Sequence, residues 1–264
     1  MNLVFENVLV EHRGRGLWIT LNLPKDMNAL TVKMLDEMEK ALTAAEGDGE
    51  ITAVVFTGAG KAFCAGANLK EILSSLEDKT PGVKDFLERI SEVFNQIRAF
   101  PKPVIAAVNG FAVAGGLELV MACDLILAAE SAKIGDAHSN FGILPGAGGA
   151  AVLPRKIGLN RAKYLMFTGD SVPASVMLEY GLVNQVVPDG ELVAAVDALI
   201  EKLAMKSPLV LGKMKALANN AMEQTQAGAL HQELLYLRNH LKSYDLNEGL
   251  AAFNEKRKPE FRGY

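Results

Sequence analysis

The sequence predicts an α/β fold, in which repeated β-β-α units are followed by a helical C-terminal region. The first observation is a short apolar strand that runs into a Gly/Ala-rich turn and then a helix, at 58–66, at 110–116 and, less strictly, at 142–149. The second is a change, late in the chain, to a pattern that is helical throughout. We therefore assign residues 1–190 to a core and residues 191–264 to a helical extension suited to subunit contacts.

The N-terminal part of the chain predicts two paired strands and a helix. Residues 4–11 and 16–22 alternate between apolar and polar side chains, as in a two-stranded antiparallel ribbon. Residues 31–46 place their apolar side chains at helical spacing. Thr31 is the expected N-cap of this helix and Gly47 its expected stop.

The remaining elements follow from the same periodicities and from the positions of Gly and Pro. The segment 71–81 is polar and punctuated, which indicates a mobile loop or a frayed helix. We predict strands at 53–57, 104–108, 125–128 and 184–187, and helices at 83–100, 115–122, 157–168, 173–180, 192–205, 208–223, 227–244 and 245–256.

Charge and hydropathy argue against two classes of partner. The formal net charge is −4 and no basic patch is visible, whereas nucleic-acid binders carry one. The longest apolar region, 103–129, contains Glu118 and Asp124. A charged side chain near the middle of a membrane span costs roughly 2.5–3.5 kcal/mol on insertion scales. We therefore expect a buried strand, turn, helix and strand, with no nucleic acid and no membrane as partner.

The cysteines and the N-terminus bear on the compartment. Cys64 and Cys123 lie in apolar surroundings, which favours two free thiols in a reducing compartment over one disulfide. Glu6 and Glu11 interrupt the apolar run that an export signal would need. We expect a cytoplasmic protein.

The first candidate site segment is GKAFCAGANLKEI, residues 60–72. Ala65, Gly66 and Ala67 have almost no side chain, and Asn68 starts an Asn-x-x-Glu capping pattern. Backbone N–H groups at such a helix start lack partners within the helix and can bind developing negative charge. A tight turn with nothing bound explains this segment equally well.

The second segment is NGFAVAGGLELVMACD, residues 109–124. Gly115 and Gly116 open a short apolar helix in which Glu118 is the one charge. A lone carboxylate among apolar neighbours is costly unless it is hydrogen-bonded, and such a group suits general acid–base chemistry. Glu118 follows Gly115 by about one turn, so that its carboxylate and the Gly115 N–H can face one cavity. The alternative is a buried Glu satisfied by the backbone.

The third segment covers residues 134–158. His138 lies two residues after Asp136 and is a candidate acid, base or hydrogen-bond donor near neutral pH. A histidine that caps a loop is the alternative. The Gly-rich run 146–149 resembles half of a dinucleotide fingerprint, but it follows Pro145 and not a strand, which makes a dinucleotide oxidoreductase a distant possibility.

Taken together, these segments resemble the crotonase (enoyl-CoA hydratase/isomerase) superfamily over nearly the whole chain. NLPKDMNAL (22–30), the two segments quoted above, LPGAGG (144–149) and the tail EGLAAFNEKRKPEF (248–261) resemble family motifs in the same order. The resemblance implies a crotonase-like spiral of β-β-α units with a helical C-terminal trimerisation region. It also implies binding of acyl-CoA by a homotrimer or a hexamer that is a dimer of trimers.

The resemblance also assigns residues to roles. It places the N–H groups of Ala67 and Gly115 in an oxyanion hole for the thioester oxygen and makes Glu118 the first catalytic glutamate. Coenzyme A enters as part of the substrate, and neither a separate cofactor nor a metal is implied. Lys256 is expected to meet the CoA phosphates, and Lys70 is a weaker candidate. The expected acyl-CoA-binding residues are Ala65, Gly66, Ala67, Asn68, Lys70, Gly115 and Lys256.

Two positions depart from the family pattern. Asn68 replaces the usual Asp, which preserves a helix cap, and His138 occupies the place of the second catalytic glutamate. The His138 substitution weakens an isomerase assignment more than a hydratase one. Asp136 is expected to compensate if its loop turns inward.

The predicted function is an enoyl-CoA hydratase-like enzyme that adds or removes water across the double bond of a 2-enoyl-CoA. Glu118 is its acid or base and His138 an auxiliary acid or base. Isomerisation, decarboxylation, thioester hydrolysis and retro-aldol cleavage remain alternatives, as does a catalytically silent CoA-binding scaffold. The acyl pocket is expected between segment 71–83 and the C-terminal helices.

Overall fold

A six-stranded, mostly parallel sheet forms the centre of the fold. The computed structural model describes residues 5–77 and 84–264. The strand order is β1-β2-β3-β5-β7-β10, and only the β1–β2 pair is antiparallel. The bounds are β1 (Val8–Arg13), β2 (Gly16–Leu21), β3 (Ala53–Gly58), β5 (Val104–Val108), β7 (Leu125–Ala129) and β10 (Gln185–Val187).

A second sheet of four short strands lies beside the site. Its order is β4-β6-β8-β9, with β8 and β9 antiparallel. Each repeat therefore supplies one strand to the large sheet and one to the small sheet, which confirms the β-β-α units. The sequence did not reveal the small strands, because each is three residues long and follows a turn. They are β4 (Ala62–Cys64), β6 (Phe111–Val113), β8 (Lys133–Gly135) and β9 (Ser171–Pro173).

The predicted helices are found, with shifted ends in several cases. Thr31 caps the first helix by accepting a hydrogen bond from the Met34 N–H at 3.1 Å, and Gly47 ends it. The helices are α1 (Val32–Glu46), α2 (Leu69–Glu77), α3 (Phe86–Ala99), α4 (Gly115–Ala122), α5 (Leu153–Ile157), α6 (Leu159–Thr168), α7 (Ala174–Glu179), α8 (Leu192–Ala204), α9 (Pro208–Ala221), α10 (Gln226–His240) and α11 (Tyr244–Glu255).

Two predicted boundaries were wrong for identifiable reasons. The first strand starts at Val8, because the N–H groups of residues 6–8 bind the buried Glu37 carboxylate, as at 2.7 Å for Asn7. The predicted helix 157–168 starts at Leu159, since Gly158, with a φ of +85°, separates it from the short helix α5. The described part of segment 71–81 belongs to α2, which agrees with the helical alternative, and residues 78–81 lie outside the described ranges.

Close contact between the start of α4 and strand β4 depends on glycine. A Cβ on Gly116 would lie 2.0 Å from the Cys64 carbonyl oxygen, so that only glycine lets α4 start against β4. Cys64 is buried, and burial raises the pKa of its thiol to about 12. Both cysteines are free thiols, as the sequence predicted.

The C-terminal helices differ from one another in burial. Helix α8 packs against β5 and β7 and buries Val196 and Ile200. Helices α9 and α10 pack on each other, and neither contains a buried residue. Within the ranges described, no helix combines the length and the apolar character needed to span a membrane.

We predict that Gly116→Ala destabilises the protein by about 1–3 kcal/mol, because the added methyl group overpacks the α4–β4 contact. Gly47→Ala is the matched control, since a Cβ there meets no atom within 4 Å, and we expect it to change the unfolding free energy by less than about 0.5 kcal/mol. Urea unfolding of both variants measures this. Equal stability of the two would contradict the close packing.

Candidate active site

A cavity of about 160 Å³ lies where the start of α4 meets the turn between β4 and α2. One end carries polar groups and the other is apolar. It is lined by Ala65, Ala67, Leu69, Ile72, Phe86, Leu87, Ile90, Ala114, Gly115, Glu118, His138, Phe141, Ile143, Leu144, Gly146 and Ala147.

Two backbone amides meet at the polar end. Leu30 donates to the Gly66 carbonyl at 2.8 Å and accepts from the Asn68 N–H at 2.9 Å, which turns the Ala67 N–H away from Leu30. Gly115 is the first residue of α4, where N–H groups have no partner within the helix. A Cβ on Gly115 would lie only 3.3 Å from the Ala67 nitrogen. In the part of the chain that the structure describes, neither amide donates a hydrogen bond.

The residue before this helix has an unfavourable backbone conformation. Ala114 has a φ of 50° and a ψ of −122°, a region that glycine tolerates and other residues rarely adopt. Such backbone strain costs roughly 1–3 kcal/mol and is concentrated at functional sites. The Ala114 N–H is held by the Gly135 carbonyl at 3.1 Å. The small sheet thus fixes the direction in which the Gly115 N–H points.

Glu118 supplies a buried carboxylate to the same cavity. Its Oε1 accepts hydrogen bonds from the Ala147 N–H at 2.8 Å and the Gly149 N–H at 2.9 Å. Only 3% of its surface is exposed. Hydrogen bonds from two amides offset part of the cost of burying a charge. Among the described residues no group donates a hydrogen bond to Oε2, so that this oxygen can act on a ligand.

His138 and Asp136 form a hydrogen-bonded pair opposite Glu118. The His138 Nδ1 lies 3.1 Å from Asp136 Oδ1, and Nε2 lies 3.9 Å from Glu118 Oε2. Asp136 is buried, and its Oδ2 has no hydrogen-bond partner among residues 5–77 and 84–264. The loop turns Asp136 inward, which is the condition under which Asp136 was expected to compensate for the missing glutamate.

The environment of His138 sets its protonation. Burial acts to lower its pKa, but the hydrogen bond and charge of Asp136, together with the charge of Glu118, outweigh burial and raise the pKa above its ordinary value. A larger fraction of His138 is therefore protonated at neutral pH than of an unperturbed imidazole.

The structure brings together most of the predicted site residues. Ala65, Ala67, Gly115, Glu118 and His138 line one cavity, and three Gly/Ala-rich turns converge there as predicted. Gly66 has a φ of +105° and packs next to Gly115.

The remaining predicted residues lie outside the cavity. The Asn68 Oδ1 accepts from the N–H groups of Lys70 and Glu71, at 3.1 and 3.4 Å, and thus caps α2. A capping box also needs the Glu71 carboxylate to accept from the Asn68 N–H. This part of the prediction is wrong, because the Glu71 carboxylate accepts from the Val32 N–H at 2.7 Å instead. Lys70 and Lys256 are exposed, and neither lines the cavity that the described residues enclose.

Two further features concern the sequence-based expectation. No residue of α8–α11 lines this cavity within the described part of a single chain, so the expected contribution of the C-terminal helices to the acyl pocket stays a prediction. Sequence reasoning also missed Ala147 and Gly149 as partners of Glu118. The signal was present in the Gly-rich run 146–149, which resembled a weak dinucleotide motif and instead holds a carboxylate.

The model of the enoyl-CoA hydratase/isomerase family matches residues 15–264. This range includes all the elements that form the cavity. The chain therefore belongs to the enoyl-CoA hydratase/isomerase family, as the resemblance in its sequence predicted.

Several similar proteins are named as enoyl-CoA hydratases. The chain is 36% identical over 257 residues to the short-chain-enoyl-CoA hydratase of Clostridium acetobutylicum, covering 96% of this chain and 97% of that protein. It is 38% identical over 262 residues to the crotonyl-CoA hydratase of Syntrophomonas wolfei, with coverage of 98% and 99%. The crystal structure of an enoyl-CoA hydratase from Bacillus anthracis matches with a TM-score of 0.90 at 36% identity, over 98% of this chain and all of that one.

We predict that Asp136→Asn lowers the pKa of His138, because burial remains while the charge and strongest hydrogen bond that oppose it are removed. Because the pKa of His138 is higher in the folded than in the unfolded protein, its protonation stabilises the folded state. This contribution is complete below the unfolded pKa of about 6.5 and is lost as the pH rises through the folded pKa. The stability advantage of the native protein over the variant should thus be largest in acid. NMR titration of the His138 ring measures the shift directly, with Asp26→Asn, an exposed change, as control. An unchanged pKa would show that Asp136 does not set the charge of His138.

Proposed function

We propose that the chain is an enoyl-CoA hydratase, which adds water across the double bond of a 2-enoyl-CoA thioester. The observation that carries this proposal is the 3.9 Å separation of Glu118 Oε2 and His138 Nε2. Beside them lie the Ala67 and Gly115 N–H groups, which donate no hydrogen bond among the described residues. A water molecule hydrogen-bonded to both side chains fits this separation. The family and the named relatives support the same reaction.

The reaction requires a base, an acid and a site for developing charge. Glu118 removes a proton from the water, and the oxygen forms a bond to C3 of the substrate. The electron pair of the double bond moves towards the thioester oxygen, where the Ala67 and Gly115 N–H groups form an oxyanion hole. Protonated His138 then delivers a proton to C2, and the proton held by Glu118 passes to His138 before the next turnover, so that one water is added in total. Removing one oxyanion donor typically costs about 10²–10³ in rate.

His138 performs the role that a second carboxylate has in typical hydratases. A carboxylate in that position must be protonated to donate to C2, whereas the Asp136 contact keeps imidazolium populated. The pair therefore provides an acid and a base of opposite charge, which attract each other across the site. Coenzyme A is part of the substrate in this scheme, and no further cofactor is needed.

The apolar end of the cavity is proposed to hold the acyl chain. It is formed by α2 and α3, through Leu69, Ile72, Phe86, Leu87 and Ile90. The whole cavity has a volume of about 160 Å³, so that its apolar end suits a short acyl chain. This agrees with the names of two relatives, a short-chain-enoyl-CoA hydratase and a crotonyl-CoA hydratase. We assign CoA phosphate binding to Lys70 and Lys256, and we place the reaction in the cytoplasm, in line with the two free thiols.

Thioester hydrolysis is a second candidate that one observation favours. The Asp136–His138 hydrogen bond is also the arrangement by which hydrolases orient an imidazole base. Hydrolysis would break the thioester C–S bond and release free CoA thiol, whereas hydration leaves the thioester intact. The two reactions are therefore separated by assaying both products on the same substrate.

We further propose that α10 forms contacts between subunits of a trimer or a hexamer. Leu230, Leu234, Leu237 and Leu241 follow helical spacing, yet 58%, 44%, 51% and 55% of their surfaces are exposed in a single chain. A stripe of solvated leucines on one helix is unfavourable unless another surface covers it.

We predict that Glu118→Gln lowers kcat for hydration of crotonyl-CoA by about 10²–10⁴-fold, because the amide cannot take the proton from water. Loss of absorbance of the conjugated thioester measures hydration, and a thiol reagent measures hydrolysis in the same sample. Glu130→Gln, an exposed change, is the control and should retain activity.

Each contrary outcome has a defined meaning. Release of free thiol without hydration would replace the hydratase by the hydrolase. Binding of acyl-CoA by the native protein without turnover of any thioester would indicate a scaffold. Equal rates for Glu118→Gln and the native protein would remove Glu118 from the reaction.

The oligomer is tested by sedimentation equilibrium. We predict a mass three or six times that of the chain for the native protein. The double change Leu234→Glu and Leu237→Glu should shift the distribution towards the monomer, because it places charge in an apolar interface. Leu9→Glu, on the exposed face of β1, is the control. A monomeric native protein would exclude the proposal.

A further inference from the structure

The loop that holds Glu118 lacks regular secondary structure. Residues 143–152 form bends and turns between a short 3-10 helix and α5. Two amides of this loop, those of Ala147 and Gly149, donate to Glu118 Oε1. No helix or strand ladder fixes their direction, so that some other contact has to define it.

Arg98 makes that contact from outside the cavity. Its Nη2 donates to the Ala147 carbonyl oxygen at 2.7 Å. This carbonyl lies, along the chain, between the two amides that bind Glu118. A Cβ on Gly148 would be 3.1 Å from Nη2 and would crowd the guanidinium. The glycine therefore allows Arg98 to reach the carbonyl.

Arg98 is itself held in place by two helices. It lies in the last turn of α3, where Nη1 donates to Asn95 Oδ1 at 2.8 Å. The Asn219 side chain, on α9, donates to the Arg98 carbonyl at 3.1 Å. The guanidinium thus links a regular part of the fold to the irregular loop.

Arg98 also places a positive charge near Glu118. Within the described ranges, no carboxylate lies within ion-pair distance of the guanidinium, and its buried Nε has no hydrogen-bond partner. Burial lowers the pKa of Arg98, whereas the negative charge of Glu118 opposes this effect. The attraction is mutual, so that a half-buried cation stabilises the carboxylate that faces the substrate.

We propose that Arg98 is a positioning residue for Glu118, which it orients through the backbone of Ala147 without touching the substrate. This inference rests on the proposed function, because it assumes that Glu118 acts on the bound thioester. Loss of the contact should misdirect the carboxylate and affect turnover more than binding, since the cavity walls and the amide pair remain.

The test compares Arg98→Met, which keeps the length of the side chain but has no donor, with Arg98→Lys, which keeps the charge and one donor. Arg98→Met is expected to lower kcat by roughly 10- to 100-fold, as small displacements of catalytic groups do. KM should stay within about twofold of the native value. Arg98→Lys should recover part of kcat. Arg155→Met, which removes an exposed arginine paired with Glu223, is the matched control and should behave as the native protein.

Several outcomes would overturn the proposal. An unchanged kcat in Arg98→Met is one, and a rise in KM that accounts for the whole loss of kcat/KM is another. If Arg98→Met does not fold, Arg98→Gln replaces it, because its shorter, uncharged side chain removes the charge and the reach of the guanidinium, and an unchanged kcat in that variant would overturn the role of Arg98.

A crystal structure of the folded Arg98 variant separates this inference from the proposed function. If neither the native protein nor Arg155→Met hydrates an enoyl-CoA, the proposed function fails, and the structure still tests the positioning role. We expect Glu118 to lose at least one of its bonds to the Ala147 and Gly149 amides. Retention of both bonds at their native lengths would overturn the role of Arg98.

Discussion

The close approach of two chain turns, where α4 begins against β4, is the constraint on which the rest of the site depends. Gly116 permits it, because any side chain there would collide with the Cys64 carbonyl. Once the turns meet, the Ala67 and Gly115 amides are neighbours and the first turn of α4 directs Glu118 into the same cavity. The strained Ala114 backbone follows β6, which is paired on both sides, and its N–H is held by the Gly135 carbonyl.

The site also depends on how a buried carboxylate is satisfied. Glu118 receives two amide hydrogen bonds from a loop rather than from a side chain. Backbone donors keep Oε2 free, and they add no titratable group next to the reacting atoms. The Asp136–His138 pair adds the opposite charge on the other side. Acid and base therefore differ in chemical type, and the Asp136 contact favours the protonated form of His138.

Sequence reasoning predicted the large sheet, most helices and the residues of the polar end. These succeed because periodicity and glycine placement are local signals, as for the Gly115–Ala122 helix. The small-sheet strands escaped because three residues carry no period. The partners of Glu118 and the contact of Arg98 with Ala147 escaped for another reason. They join residues 29 to 49 positions apart through backbone atoms, which leave no trace in side-chain patterns.

The burial of Cys64 has a chemical consequence for an enzyme of this class. Conjugated thioesters are Michael acceptors, and a thiolate beside the reaction site would add to their double bond. The Cys64 sulfur is enclosed and receives the Gly66 N–H at 3.4 Å, while its pKa of about 12 leaves almost no thiolate at neutral pH. For the proposed hydratase, the packing that shapes the turn thereby keeps this thiol unreactive towards the conjugated thioester.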